Sequence, residues 1–217
     1  MQADLLTQPL LRQTPPNERV TFDEFCEIIK ENQKADLING VIYMATPATL
    51  EHEDEFGFVL MIVRGFVRRK KLGFVFGSRA AMQLSDENAP EPDLMFISKE
   101  RLAKAKGKAF LGAADLVIEL ISPSSRWLDL GEKKELYAKF GVREYWVIDL
   151  FRQVAHFWKN NNGVWEELPI DAMGIVRSAV LPGFWLRVDW LFAEPLPDED
   201  TILALILSGD PANSKTN

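Results

Sequence analysis

Three carboxylates, Asp93, Asp115 and Glu119, stand inside otherwise apolar, strand-like runs of the chain. A carboxylate is rarely buried without a partner, a proton or a metal. Each alone fits a surface-facing strand residue or a capping group. Together, Asp93 after Pro92 at the start of one run and Glu119 inside a very hydrophobic one suggest two acids side by side in a sheet, the usual way of holding hard Mg²⁺. Lys133 stands out for another reason: positions 130, 133, 137 and 140 share one helical face and hold Leu130, Lys133, Tyr137 and Phe140, so an ammonium interrupts an apolar stripe. Either its stem covers apolar surface while the charge reaches water, or the charge points at an anionic reacting group. His52 shares a face with Phe56, Val59 and Val63 and should point inward near a helix N-terminus, as a core histidine bonded to backbone or as a catalytic one. Cys26, among Phe22, Phe25 and Ile29, reads as a small buried hydrophobe. Ser122, Ser124 and Ser125 flank Pro123 with no Gly-x-Ser-x-Gly frame, which argues against an acyl hydrolase.

The elements that must position these residues alternate between strands and helices. Thr21 and Glu24 form a capping box for a helix from Phe22 to about Asn32. Asn39-Gly40, between 36–38 and 41–44, supplies the two positive-φ residues of a type I′ hairpin. Phe56, Val59, Leu60, Val63, Phe66 and Val67 recur at three- and four-residue steps and predict an amphipathic helix over 50–70. Short strands are expected at 73–76, 81–84 and 93–97, a basic helix-prone stretch at 99–108, and a central, doubly covered strand at 115–121. A helix over 129–140 closed by Gly141, a strand at 144–149, a hairpin of 154–158 with 164–168, a strand at 184–188 and a short helix at 201–207 complete the pattern. The class is α/β or α+β, a mixed sheet with helices packed on it.

Composition sets the limits. With 217 residues, 47% hydrophobic and 26% charged, the chain has the proportions of one soluble globular domain. We divide it into a flexible N-terminal arm over 1–19, a domain over 20–190 and an acidic C-terminal tail with a short helix over 191–217. One cysteine excludes a disulfide framework and Cys-rich metal sites. With no signal-peptide pattern and no apolar run of bilayer length, a cytoplasmic, non-membrane protein is expected. A net charge of −7 argues against binding nucleic acid by bulk charge. The charge is uneven, however: residues 56–108 hold 11 Lys+Arg and 5 Asp+Glu, a balance of +6 against −13 elsewhere. The clusters Arg64 to Lys71 and Lys99 to Lys108 bracket Asp93 in the sequence, either as a place for nucleic acid or as solvated helix faces.

The segments Glu91-Pro92-Asp93-Leu94, 115–124, 129–137 and 141–149, with Gly40, Met44, Pro47 and His52 upstream, resemble the putative restriction endonuclease domain family, a branch of the PD-(D/E)xK nuclease superfamily, over roughly residues 20 to 190. The resemblance implies a restriction-endonuclease-like core: a central mixed sheet flanked by helices, with the acids on adjacent strands, to which the residue pattern adds a C-terminal β-hairpin. It implies that Asp93 and Glu119 match the superfamily's two acids and, with the backbone carbonyl of Leu120, ligate Mg²⁺ or Mn²⁺. The usual lysine, two residues after the second acid, is Ile121 here, and the matching family position is Lys133 on the next helix. The implied activity is metal-dependent endonucleolytic hydrolysis of phosphodiesters in nucleic acid, with DNA as the expected substrate and His52 beside the water or the leaving side. The substitution at 121 keeps open a catalytically inactive module for DNA binding or oligomerisation. A homodimer is a further expectation, with Phe184, Trp185 and Trp190 as exposed aromatics at its interface.

Overall fold

The computed structural model describes residues 11–12, 18–30, 32–102, 105–106 and 109–212; the expected arm over 1–19 lies largely outside these. A small antiparallel sheet, ordered β1-β3-β2, joins β1 (Leu11–Arg12), β2 (Ala35–Ile38) and β3 (Val41–Met44). Its hairpin turns at Asn39 (φ 50°) and Gly40 (φ 72°), the type I′ geometry that Asn-Gly predicts. Helix α1 (Phe22–Ile28) lies between β1 and β2 in the chain, held by the Thr21/Glu24 capping box, and stops earlier than expected because Ile29 is already extended.

Helix α2 (Leu50–Lys70), capped by the Thr49 side chain, leads to β4 (Gly73–Gly77), β5 (Ala81–Gln83), β6 (Leu94–Ser98) and the short α3 (Lys99–Leu102). The basic stretch at 99–108 is therefore helical only at its start: β7 (Ala105–Lys106) follows, and β8 (Ala109–Leu111) lies beside β5 and β7 in a second three-stranded sheet. Next come β9 (Leu116–Ile121), α4 (Arg126–Leu130), α5 (Glu132–Phe140), β10 (Glu144–Asp149), β11 (Val154–Asn161) and β12 (Val164–Glu167). The expected single helix over 129–140 is two helices. Gly131 (φ −109°, ψ −104°) breaks the run, and a Cβ there would lie 2.5 Å from the Trp127 carbonyl oxygen.

The central sheet has the order β12-β11-β10-β9-β6-β4, with β9 and β10 parallel and the other pairs antiparallel. A parallel pair needs a crossover, which α4 and α5 supply. Both β9 and β10 are buried along their whole length. Strand side chains alternate in face: Leu116, Ile118 and Leu120 pack toward α2, whereas Val117 and Ile121 join Tyr137 of α5. This parity puts Glu119 on the α5 face.

The C-terminal part carries β13 (Ile175–Arg177), β14 (Trp185–Arg187), a 3-10 turn over Val188–Phe192 and α6 (Glu199–Ser208). Ile202, Leu203 and Ile206 of α6 are buried in the cluster built on α2, and Gly65 admits the close approach, since a Cβ there would meet Leu203 at 2.4 Å. Phe184 and Trp185 are core residues and Trp190 packs against that core, so these aromatics are not the exposed interface expected of them. Phe184 meets Phe66 edge-on at 5.2 Å between ring centres. Among the described residues no helix is long and apolar enough to cross a membrane.

Candidate active site

The antiparallel register of β6 on β9, with Leu94 opposite Ile118, brings Asp93 beside Glu119. Each carboxylate is tied to the other residue's strand: the Asp93 N–H donates to Glu119 Oε2 (3.2 Å), and the Leu120 N–H donates to Asp93 Oδ2 (2.9 Å). Asp93 Oδ1 takes an ion pair from Lys34, which stands just before β2. Lys133, arriving from α5, places Nζ 3.0 Å from Glu119 Oε1, 2.9 Å from Asp36 Oδ2 and 3.1 Å from Asp129 Oδ1. Its side chain is only 5% exposed, so the ammonium itself is buried and does not snorkel. Its three N–H donors meet three carboxylates. The Tyr137 hydroxyl donates to Glu119 Oε1 (2.9 Å), and Asp36 Oδ1 accepts from the Glu91 N–H (2.8 Å). His52 Nε2 donates to the Leu120 carbonyl (2.8 Å), and Nδ1 is buried without a hydrogen-bond partner among the described residues. The structure thus brings Asp93, Glu119, Leu120, Lys133 and His52 into one cluster.

The charge inventory is four buried carboxylates (Asp36, Asp93, Glu119, Asp129) against Lys34 and Lys133. Burial pushes the Asp93 carboxyl up, but the Lys34 ammonium, His52 and the Leu120 N–H outweigh it and hold it below the usual range. Glu119 goes the other way: burial, Asp129, Asp93 and Asp36 push it up against the pull of Lys133. Burial would lower Lys133, but Asp129, Asp36 and Glu119 together raise it well above the ordinary lysine value, so it stays charged.

The family model of the Uma2 group, described as "Putative restriction endonuclease", matches residues 21–189. The chain belongs to the Uma2 family. In shape it is similar to the crystal structure of a protein described as a putative nuclease belonging to DUF820 from Anabaena variabilis, with a TM-score of 0.67 and 18% identity over 80% of this chain and 97% of that one. A search of curated proteins gives no match. The Uma2 region includes every residue of the buried cluster.

The Uma2 cluster opens to solvent through a cleft of about 470 Å³ whose wall includes Lys34, Thr46, His52, Ser78, Arg79 and Asp93. Glu119 and Lys133 are not on that wall. Among the described residues, no three His, Cys, Asp or Glu side chains form a metal-holding group; the Asp93 and Glu119 carboxylates and the Leu120 carbonyl are hard oxygen donors, which suits Mg²⁺ or Mn²⁺ in kind. Ile121 is buried on the same strand face as Glu119. Lys133 therefore enters the side from which a lysine at 121 would have come.

Sequence reasoning missed Lys34, Asp36, Asp129 and Tyr137 as members of the site. It also undercounted acids in strands, since Asp36, Glu144 and Asp149 are buried in strands as well. Asp36 lies in the apolar run Ala35–Ile38, the same signature that marked Glu119, and Asp129 is one helical turn before Lys133. Asp115 belongs elsewhere: it accepts from the Ser98 N–H (2.8 Å) and pairs with Arg143 at 3.1 Å, a structural anchor. Described members of both basic clusters lie at a distance from the site. Lys70 and Lys71 end α2, some 27 Å along it from His52. Lys99 follows β6 at its Gly73-paired end, about 20 Å along the strand from Asp93.

Proposed function

We propose that this chain is a metal-dependent endonuclease hydrolysing phosphodiesters of nucleic acid, with DNA as substrate. The observation that carries the reading is the side-by-side placement of Asp93 and Glu119 on adjacent strands, backed by a buried ammonium and open at one end to a cleft. Asp93, Glu119 and the Leu120 carbonyl would hold Mg²⁺ or Mn²⁺, which when bound lowers the pKa of a water and polarises the phosphodiester. The other residues bind and position. Lys133 and Tyr137 fix Glu119 through Oε1, and His52 fixes the Leu120 carbonyl, leaving that oxygen's second lone pair free. Lys34 and Arg79 are the cations on the cleft wall, and Lys34, once off Asp93, is placed to meet a phosphate oxygen. A homodimer belongs to the same reading, with its interface away from the buried Phe184 and Trp185.

The test is incubation of the purified protein with supercoiled plasmid, single-stranded DNA and RNA in Mg²⁺ or Mn²⁺. Nicking of plasmid is expected, with a loss of at least about 100-fold in Asp93→Ala. An unchanged rate in the variant overturns the assignment, and cleavage of RNA alone overturns the choice of DNA. An inactive module is favoured by one observation: every oxygen of Asp93 and Glu119 already has a protein partner. That reading requires no Mn²⁺-dependent rise in Tm.

A further inference from the structure

On the far side of His52 from the cleft runs a second cavity, a groove of about 660 Å³ lined by Phe151, Phe192, Leu191, Leu196 and Pro123. It shares Thr46, Pro47, Ala48 and His52 with the cleft at Asp93, so the two spaces adjoin along one wall. Glu55, one turn along α2 from His52, lines the groove; the residue is 2% exposed and its Oε1 is buried without a hydrogen-bond partner among the described residues. A buried polar atom left unpaired is costly, and it marks where a ligand atom would be satisfied. Burial and the neighbouring Asp54 push this carboxyl up to about 8, so at neutral pH it is largely protonated and offers an O–H donor beside a C=O acceptor. Phe151 presents a ring that is 66% exposed. Glu51, Asp54 and Glu194 rim the groove and are exposed, which disfavours a phosphate there.

An occupant must therefore be planar, uncharged, able to stack, and equipped with a neighbouring acceptor and donor on one edge. We propose that the groove is a base pocket, receiving one unpaired nucleobase of the strand whose phosphate lies at Asp93, with Glu55 bonding the base edge and Phe151 stacking on its face. This rests on the nuclease reading above. It deepens that reading by assigning the enzyme a substrate whose base is already out of the duplex or is extruded on binding.

The test measures binding of a short single-stranded oligonucleotide and its abasic counterpart by fluorescence anisotropy, in an Asp93→Asn background that keeps the strand uncut, with Mg²⁺ present. The base-containing strand is expected to bind more tightly. Phe151→Ser should weaken it at least about fivefold and leave the abasic strand unchanged. Glu55→Gln, which keeps a donor beside an acceptor, should bind as the parent does, and Glu55→Leu should not. Phe151→Ser alters an exposed ring, so a normal melting curve separates lost binding from lost fold. Equal binding of both strands overturns the base pocket and leaves the nuclease reading standing, whereas binding of neither overturns both. A chain dimer that Phe151→Ser dissolves, seen by sedimentation, assigns the groove to a second copy and also overturns the proposal.

Discussion

Replacing Lys133 with methionine keeps the length of the side chain and removes the ammonium that three buried carboxylates share. Asp36, Glu119 and Asp129 lie 2.9, 3.0 and 3.1 Å from Nζ, and all four side chains are at most 10% exposed. Removing one partner of a buried ion pair costs about 3–5 kcal/mol, because the remaining charge is left uncompensated. Here three charges lose one shared partner. Each can escape by taking up a proton, at about 1.4 kcal/mol for every unit by which the solution lies above its ordinary pKa. For a chain of this length, 3–5 kcal/mol lowers Tm by roughly 6–20 °C at pH 7.5. The sign with pH follows. Burial already raises the folded-state pKa values of Glu119 and Asp129 above their unfolded values, and Lys133→Met removes the charge that holds them down, so the stability they contribute is greatest in acid and is lost as the pH climbs through the raised values. The deficit against the parent should therefore be largest above neutrality and shrink toward pH 5, and adding Asp129→Asn should restore part of it. Thermal melts followed by circular dichroism across pH 5–8.5 decide the matter. A variant that melts like the parent at pH 7.5, or a deficit of equal size at pH 5, refutes the idea that Lys133 clamps the site by charge.

Lys34 should behave differently, because its side chain is 27% exposed and it has one partner. Lys34→Met is expected to lower Tm by less than Lys133→Met, because it strands one carboxylate beside a partly exposed position, to strengthen Mn²⁺ binding about tenfold by calorimetry since nothing then competes for Asp93 Oδ1, and to slow cleavage; weaker Mn²⁺ binding refutes the competition. Glu55→Gln is expected to stabilise the protein increasingly with pH. The folded-state pKa of Glu55 is raised from 4.5 to about 8, so the parent's stability from this group is full below pH 4.5 and is lost as the pH rises through 8, a few kcal/mol that a non-titrating glutamine keeps. A Tm difference that stays flat between pH 5 and 9 counts against it.

What was legible in the sequence was whatever a local period encodes. The inward face of α2, the Asn39-Gly40 hairpin and the acid inside β9 follow from spacing and turn chemistry, and Lys133 was detectable because it broke a stripe. What was not legible depends on contacts between distant segments. Lys34 meets Asp93 across 59 positions, and nothing adjacent to Lys34 signals that pairing. Asp36 carried the signature of an acid in an apolar run, but nothing local to the four-residue β2 tells that it meets Lys133. The alternation at 184–188 gave a strand without saying that Phe184 and Trp185 are inside. Charge counted along the chain did not say which of the two readings of the basic clusters holds, since β6 carries the chain about 20 Å between Asp93 and Lys99.

The position of the lysine changes what it can do. An ammonium at 121 would be carried by β9 alone, whereas one on α5 ties Asp36 of β2, Glu119 of β9 and Asp129 of α4 to a single nitrogen. Position 121 is then free to be apolar, and Ile121 fills the cluster around Tyr137 and Val117. On the proposed reading, with Lys133 held among three carboxylates and off the cleft wall, contact with substrate falls to the cations that are on that wall, Lys34 and Arg79. On the same reading the two lysines divide what one motif lysine would do: Lys133 fixes the geometry of Glu119, and Lys34 supplies charge at the mouth of the site. Variants of the two should consequently fail in different assays, one in melting and the other in cation binding.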